Sequence, residues 1–85
     1  MNETVASFRS GKVDFLSDFP VGGVGTVVAV NVENELQGRL MGMGLFVGAR
    51  FHLIQGGNGF PLLLAIGDTR LALGCEIGRC ILVEQ

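Results

Sequence analysis

Eighty-five residues with 48% hydrophobic and 16% charged side chains carry enough apolar surface for one small core, and too few charges for a disordered chain. The net charge of −2 and pI of about 5.1, with six basic residues spread singly, exclude the clustered Lys and Arg of a phosphate-binding surface, so no nucleic-acid partner is expected. The longest apolar run, Phe60 to Ile66, contains Pro61 and is far shorter than the ~20 residues of a spanning helix, so no direct membrane insertion is expected.

Residues 1–15 mix polarities without a sustained period and are broken at Ser10-Gly11-Lys12, which predicts a flexible extension ahead of a domain over 16–85. Glu3, Arg9, Lys12 and Asp14 interrupt this stretch, so it lacks the apolar core of a secretory signal and a cytoplasmic location is expected. Leu16 to Gly25, with Pro20 and three glycines, reads as an entry loop, and the β-branched run Thr26 to Val32 as the first strand. Glu33-Asn34-Glu35 then places two carboxylates in the opening turn of a helix, with Asn31 or Asn34 as its N-cap. Leu36, Leu40 and Met43 fall at helical spacing and share one face, and Gly44 supplies a left-handed stop after which Leu45 can fold back on the helix. Gly38 and Gly42 weaken this helix by about 1 kcal/mol each relative to alanine, so tertiary packing must hold it.

Ala49 to Gln55 alternates as a second strand, Arg50, His52 and Ile54 on one face and Phe51, Leu53 and Gln55 on the other. After the Gly56-Gly57-Asn58-Gly59 turn, Phe60 to Ile66 is a third strand, and the two-residue signal Gly67-Asp68 pairs it with Thr69 to Leu73. Gly74 to Arg79 reads as a turn or single helical turn before a last strand, Cys80 to Val83. About five short strands and one short helix predict a mainly β fold, a small barrel that removes exposed edges.

No pair of groups has acid, base or nucleophile spacing, so a non-enzyme is expected. Gly22-Gly23-Val24-Gly25 precedes a strand, whereas phosphate loops follow one and open a helix. Cys75 and Cys80 are too few for a disulfide scaffold and are expected to be free thiols in a reducing compartment. Their C-x4-C spacing is outside the common zinc patterns, so no cofactor is expected; the alternative is weak Fe2+ or Zn2+ binding by Cys75, Cys80 and His52, as in a metal-responsive domain.

From about Leu16 to Glu84 the chain resembles the ferrous iron transport protein A family, FeoA. The residues that carry the resemblance are Leu16-Ser17-Asp18-Phe19-Pro20-Val21-Gly22 leading into Gly25-Thr26-Val27-Val28-Ala29-Val30, then Arg39-Leu40, Met43-Gly44-Leu45 and Gly48. Gly59-Phe60-Pro61, Gly67-Asp68-Thr69-Arg70-Leu71-Ala72-Leu73, and Ile77 with Ile81-Leu82-Val83 complete it. Gly38 stands where many relatives carry a second arginine, Met43 replaces leucine, and Gly74 replaces an arginine after the leucine-alanine-leucine strand. The resemblance implies an SH3-like β-barrel, a type also found as the C-terminal domain of iron- and manganese-dependent repressors. It implies a cytosolic, non-catalytic accessory role in ferrous iron uptake beside FeoB, the membrane ferrous-iron transporter with a guanine-nucleotide-binding domain, and modulation of its GTPase or transport cycle. With arginines missing, apolar contact is expected to dominate docking, through Arg39, Met41, Met43, Phe46 and Val47. A self-associating module hiding apolar surface as a homo-oligomer is the other alternative.

Overall fold

The computed structural model describes residues 12–57 and 59–85. Six strands, β1 (Val13–Phe15), β2 (Val24–Val30), β3 (Arg50–Gln55), β4 (Leu62–Ile66), β5 (Thr69–Leu73) and β6 (Ile81–Glu84), form one antiparallel sheet in the order β1-β6-β2-β3-β4-β5. The architecture is the mainly β, SH3-like one expected, with α1 (Asn34–Gly42) inserted between β2 and β3 and a single helical turn, α2 (Cys75–Gly78), before β6. Two details differ from the expected five-stranded closed barrel. Val13–Phe15, assigned to the extension, pairs with β6, and among the described residues the ladder does not close, so β1 and β5 are its edges. The rest of the expected extension, residues 1–11, and Asn58 of the expected hairpin turn lie outside the described residues. No helix among the described residues is long and apolar enough to cross a membrane.

The core lies on the inner face of the sheet. Alternation along β3 buries Phe51 and Leu53 and exposes Arg50 and His52, and β4, β5 and β6 add Leu62, Leu64, Leu71, Leu73, Ile81 and Val83. On β2 the register against β6 shifts between Val27 and Ala29. That bulge inserts one residue, so Val27 and Val30, three apart, both face inward while Val28 is pushed out. Leu16, Phe19, Leu40, Leu45 and Ala49 complete the buried set. The Phe19 and Phe51 rings meet edge to face, 5.2 Å between centroids.

Helix α1 is short, and Leu40 is its one fully buried side chain; Leu36 is half-buried. The N-cap is Glu33, not Asn31 or Asn34, and no side chain caps it. Asn31 instead lies just past the end of β2, where its N–H donates to the Cys80 carbonyl (2.8 Å), and Asn34 is already the first helical residue. The other end is as expected. Gly44 has φ +96°, its N–H donates to the Met41 carbonyl (3.0 Å) and the Leu45 N–H to the Leu40 carbonyl (2.9 Å). This paired 5→2 and 6→1 arrangement is a Schellman stop, and the side chains of Leu40 and Leu45 are both buried. Met43, expected on the buried face, is the C-cap residue, where the helical phase ends, and it stays exposed.

The glycines within α1 are not structural requirements. A Cβ at Gly38 would meet nothing within 4 Å, and its φ is not in the left-handed region. Gly38→Ala is therefore expected to stabilise the protein by about 0.5–1 kcal/mol, seen as a higher urea midpoint at unchanged slope.

Candidate apolar docking groove

The bulged end of β2, one stripe of α1 and the turn after it enclose a groove of about 460 Å³. Its walls are Val30, Gln37, Met41, Leu45, Phe46 and Val47. Gln37 and Met41 are one helical turn apart and so share a face of α1. Leu45, carried inward by the left-handed Gly44, makes the floor, while Phe46 and Val47 rise beside it, 43% and 61% exposed. The turn is fastened at both ends. The Gly48 N–H donates to the Val27 carbonyl (2.8 Å), the Val27 N–H to the Ala49 carbonyl (2.9 Å), and the Ala49 N–H to the Phe46 carbonyl (3.0 Å). Two apolar side chains are thereby presented to solvent on a fixed backbone, which lowers the ordering cost of anything that binds them.

No titratable side chain lines the groove. Its single polar group is the Gln37 amide, whose Nε2 donates to the Val30 carbonyl at 3.5 Å, a long and weak bond. Small-molecule sites of this size normally orient their ligand with several polar groups. This groove offers almost only apolar area, which suits the apolar side chains of a protein partner.

Of the residues expected to dock a partner, Met41, Phe46 and Val47 come together on the groove. Arg39 and Met43 are exposed but do not line it; Arg39 sits in the last turn of α1, where a cation complements the helix C-terminus. Sequence reasoning missed Val30 and Gln37. Gln37 carried a usable signal, four residues before Met41 on the same stripe, whereas Val30 joins only through the tertiary fold. Leu45 was expected as core and is both buried and the floor.

The other candidates lie elsewhere. Cys75 opens α2 with its thiol directed at the Phe60 carbonyl (Sγ to O 3.1 Å), and the Cys80 thiol is directed at the Glu76 carbonyl (3.6 Å). His52 is exposed on the outer face of β3, opposite Val24 and Ala65. Cys75, Cys80 and His52 are not brought together, and no three His, Cys, Asp or Glu side chains are grouped to hold a metal among the described residues. In the glycine-rich loop, the Gly22 N–H donates to the Leu53 carbonyl (2.7 Å) and the Gly23 carbonyl accepts from the Leu53 N–H (2.9 Å). These groups extend the β2–β3 ladder and do not form an anion cradle.

The model of the FeoA domain family matches residues 15–85. Among solved structures, the crystal structure of an iron uptake regulatory protein (FeoA) superposes with a TM-score of 0.79 at 25% identity, covering 87% of this chain and all (100%) of that one. The solution structure of iron(II) transport protein A from Clostridium thermocellum gives a TM-score of 0.75 at 28% identity over 84% of this chain, which spans 44% of that protein. A manganese-dependent transcriptional repressor, TM-score 0.75 at 17% identity over 87% of this chain and 42% of its own, shares the fold alone. No curated protein matches the chain in sequence.

Proposed function

The chain belongs to the FeoA domain family, and from that premise we propose that it is a non-catalytic accessory protein of ferrous iron uptake that docks on an FeoB-type membrane transporter in the cytoplasm and modulates its GTPase or transport cycle. The observation that carries the docking reading is the apolar groove walled by Met41, Phe46 and Val47. These side chains are large, exposed and held on a fastened turn, and their burial by a partner is worth roughly 25 cal/mol per Å² of apolar area before binding costs. The groove supplies no acid, base or nucleophile, which fits an accessory role better than a catalytic one.

The reading is tested by measuring affinity for the detergent-solubilised transporter with wild type and with Met41→Asp and Phe46→Asp. A charge forced into an apolar contact should weaken binding by at least about tenfold, close to 1.4 kcal/mol. Arg39→Ala, outside the groove, should change it less. Unaltered affinity in Asp variants that keep the wild-type circular dichroism would remove the groove from the interface. Light scattering over a concentration series is the arm for the alternative: a dimer disrupted by the same substitutions would mean that the groove serves self-association.

A further inference from the structure

The sheet ends on a β5 edge that differs from the groove in chemistry and location. The two-residue turn Gly67-Asp68 makes Ile66 and Thr69 the hydrogen-bonded closing pair of the hairpin, and the β4–β5 register then runs without interruption to Leu62 opposite Leu73. Alternation along this ladder spends the N–H and C=O of Thr69, Leu71 and Leu73 on β4. The corresponding groups of Arg70 and Ala72 point away from the sheet, and among the described residues β5 has no second neighbour. β1, the other edge, is only three residues long.

The outer face beside this edge carries two exposed arginines and the one histidine. His52 is opposite Ala65, and Ala65 is opposite Arg70, so the imidazole and the guanidinium stand in one row on either side of a methyl group, about 10 Å apart by strand spacing. Arg50 lies two residues along β3 from His52 on the same face, and all three side chains are exposed. The acidic groups near this row are at its margins: Asp68 is in the hairpin turn, the Glu76 carboxylate lies beside Gly74 just past β5, and Glu84 is beyond Thr26 from Arg50, on the side away from the edge. In a chain of net charge −2 this puts two arginines and an exposed histidine on the face next to unpaired backbone.

We propose that the β5 edge accepts an extended acidic segment of a partner protein as a seventh strand, with carboxylates on the outer face beside Arg70 and His52 and apolar side chains on the side of Leu71 and Leu73. Main-chain bonds to Arg70 and Ala72 supply affinity, and the alternating faces supply the sequence preference, acidic and apolar by turns. A second copy of this chain is a poor occupant. The antiparallel register that pairs the whole of β5 with itself, centred on Leu71, puts Arg70 diagonal to its own copy, one centred on Arg70 puts it directly opposite, and like charges there are destabilising. The same arginine thus opposes self-pairing and favours a carboxylate. This surface is independent of the groove, and its test can fail while the docking reading stands.

The test is an amide chemical-shift titration of the full-length protein with a blocked six-residue peptide of alternating valine and glutamate, against the same peptide with lysine for glutamate. Shifts confined to Thr69–Leu73 and the facing outer residues, weakened by added salt and absent with the lysine peptide, are expected. Arg70→Glu should raise Kd by about tenfold or more. Ala72→Pro removes an outward N–H without touching the β4 ladder, is tolerated on an edge strand, and should abolish the shifts with the remaining spectrum intact. The proposal is overturned by equal response to both peptides, by shifts centred on Met41 and Phe46, by insensitivity to Arg70→Glu or Ala72→Pro, by a peptide-free dimer through β5, or by no response at millimolar peptide.

Discussion

Leu40→Ala is expected to lower the unfolding free energy by about 2–5 kcal/mol and the melting temperature by roughly 4–8 °C for each kcal/mol lost. Leu40 is 1% exposed, and its carbonyl accepts both the Met43 N–H (3.0 Å) and the Leu45 N–H (2.9 Å). Its side chain joins the core that also holds Leu45. Truncation therefore removes transfer energy, leaves a cavity, and loosens the main contact that makes a weak helix worth forming, leaving only half-buried Leu36 on that face. A domain of this size has about 0.05–0.15 kcal/mol of stability per residue, so the variant spends much of the total. Calorimetric unfolding measures it, and a loss below about 1 kcal/mol would mean that α1 packs differently. Leu40→Met, close in volume, should cost less than about 1.5 kcal/mol. The adjacent Met41→Ala makes the complementary control. At 55% exposure it should change stability by no more than about 0.5 kcal/mol while removing a wall of the groove, so that one helical step separates folding from docking.

That separation was partly legible beforehand, because the helix stop is written locally. A glycine just past the last apolar residue demands the left-handed turn, and Gly44 adopts it. Thr69–Leu73 was readable to the residue for the same reason: a two-residue turn sets the register of the strand that follows. The departures come from long-range pairing. Nothing in Val13-Asp14-Phe15 distinguishes it from a tail, and it becomes a strand because Val13 lies opposite Glu84 and Phe15 opposite Leu82 across the whole length of the domain. The bulge near Val28 and the inclusion of Val30 in the groove depend on pairing with β6 and on the return of the chain after α1. Met43 shows the limit of periodicity, since i+7 spacing predicts a shared face only while the helix lasts. Whether a small sheet closes its ladder or leaves β5 open is likewise a matter of how its ends meet, which period-2 patterning does not encode.

Gly25→Ala carries the second large effect, and its position is one that the sequence disguises. In sequence Gly25 looks like the last of the turn glycines, yet it is buried within β2, opposite Phe51, and no left-handed conformation requires it. What requires it is close approach. A Cβ there would stand 2.7 Å from the Glu84 carbonyl oxygen, 2.9 Å from Cζ of Phe19 and 3.0 Å from Cζ of Phe51. Side-chain ends can shift, but the carbonyl belongs to β6, which is itself paired to β1 and β2, so relief on that side means moving a central strand. Overpacking of this kind costs about 1–3 kcal/mol, and the backbone contact places this case at the upper end or above. It is read as a lower denaturant midpoint with unchanged slope. Phe19→Leu in the Gly25→Ala background separates the Phe19 contact from the other two. Removing the Phe19 ring relieves one contact and leaves the carbonyl and the Phe51 ring, so the double variant should be more stable than the two single losses summed, by about 0.5 kcal/mol or more, yet remain below Phe19→Leu alone. Full additivity would mean that the Phe19 ring moves freely and that the β6 backbone and the Phe51 ring carry the penalty. Either division makes Gly25 a fold-critical glycine because three neighbours converge on the place where its side chain would be.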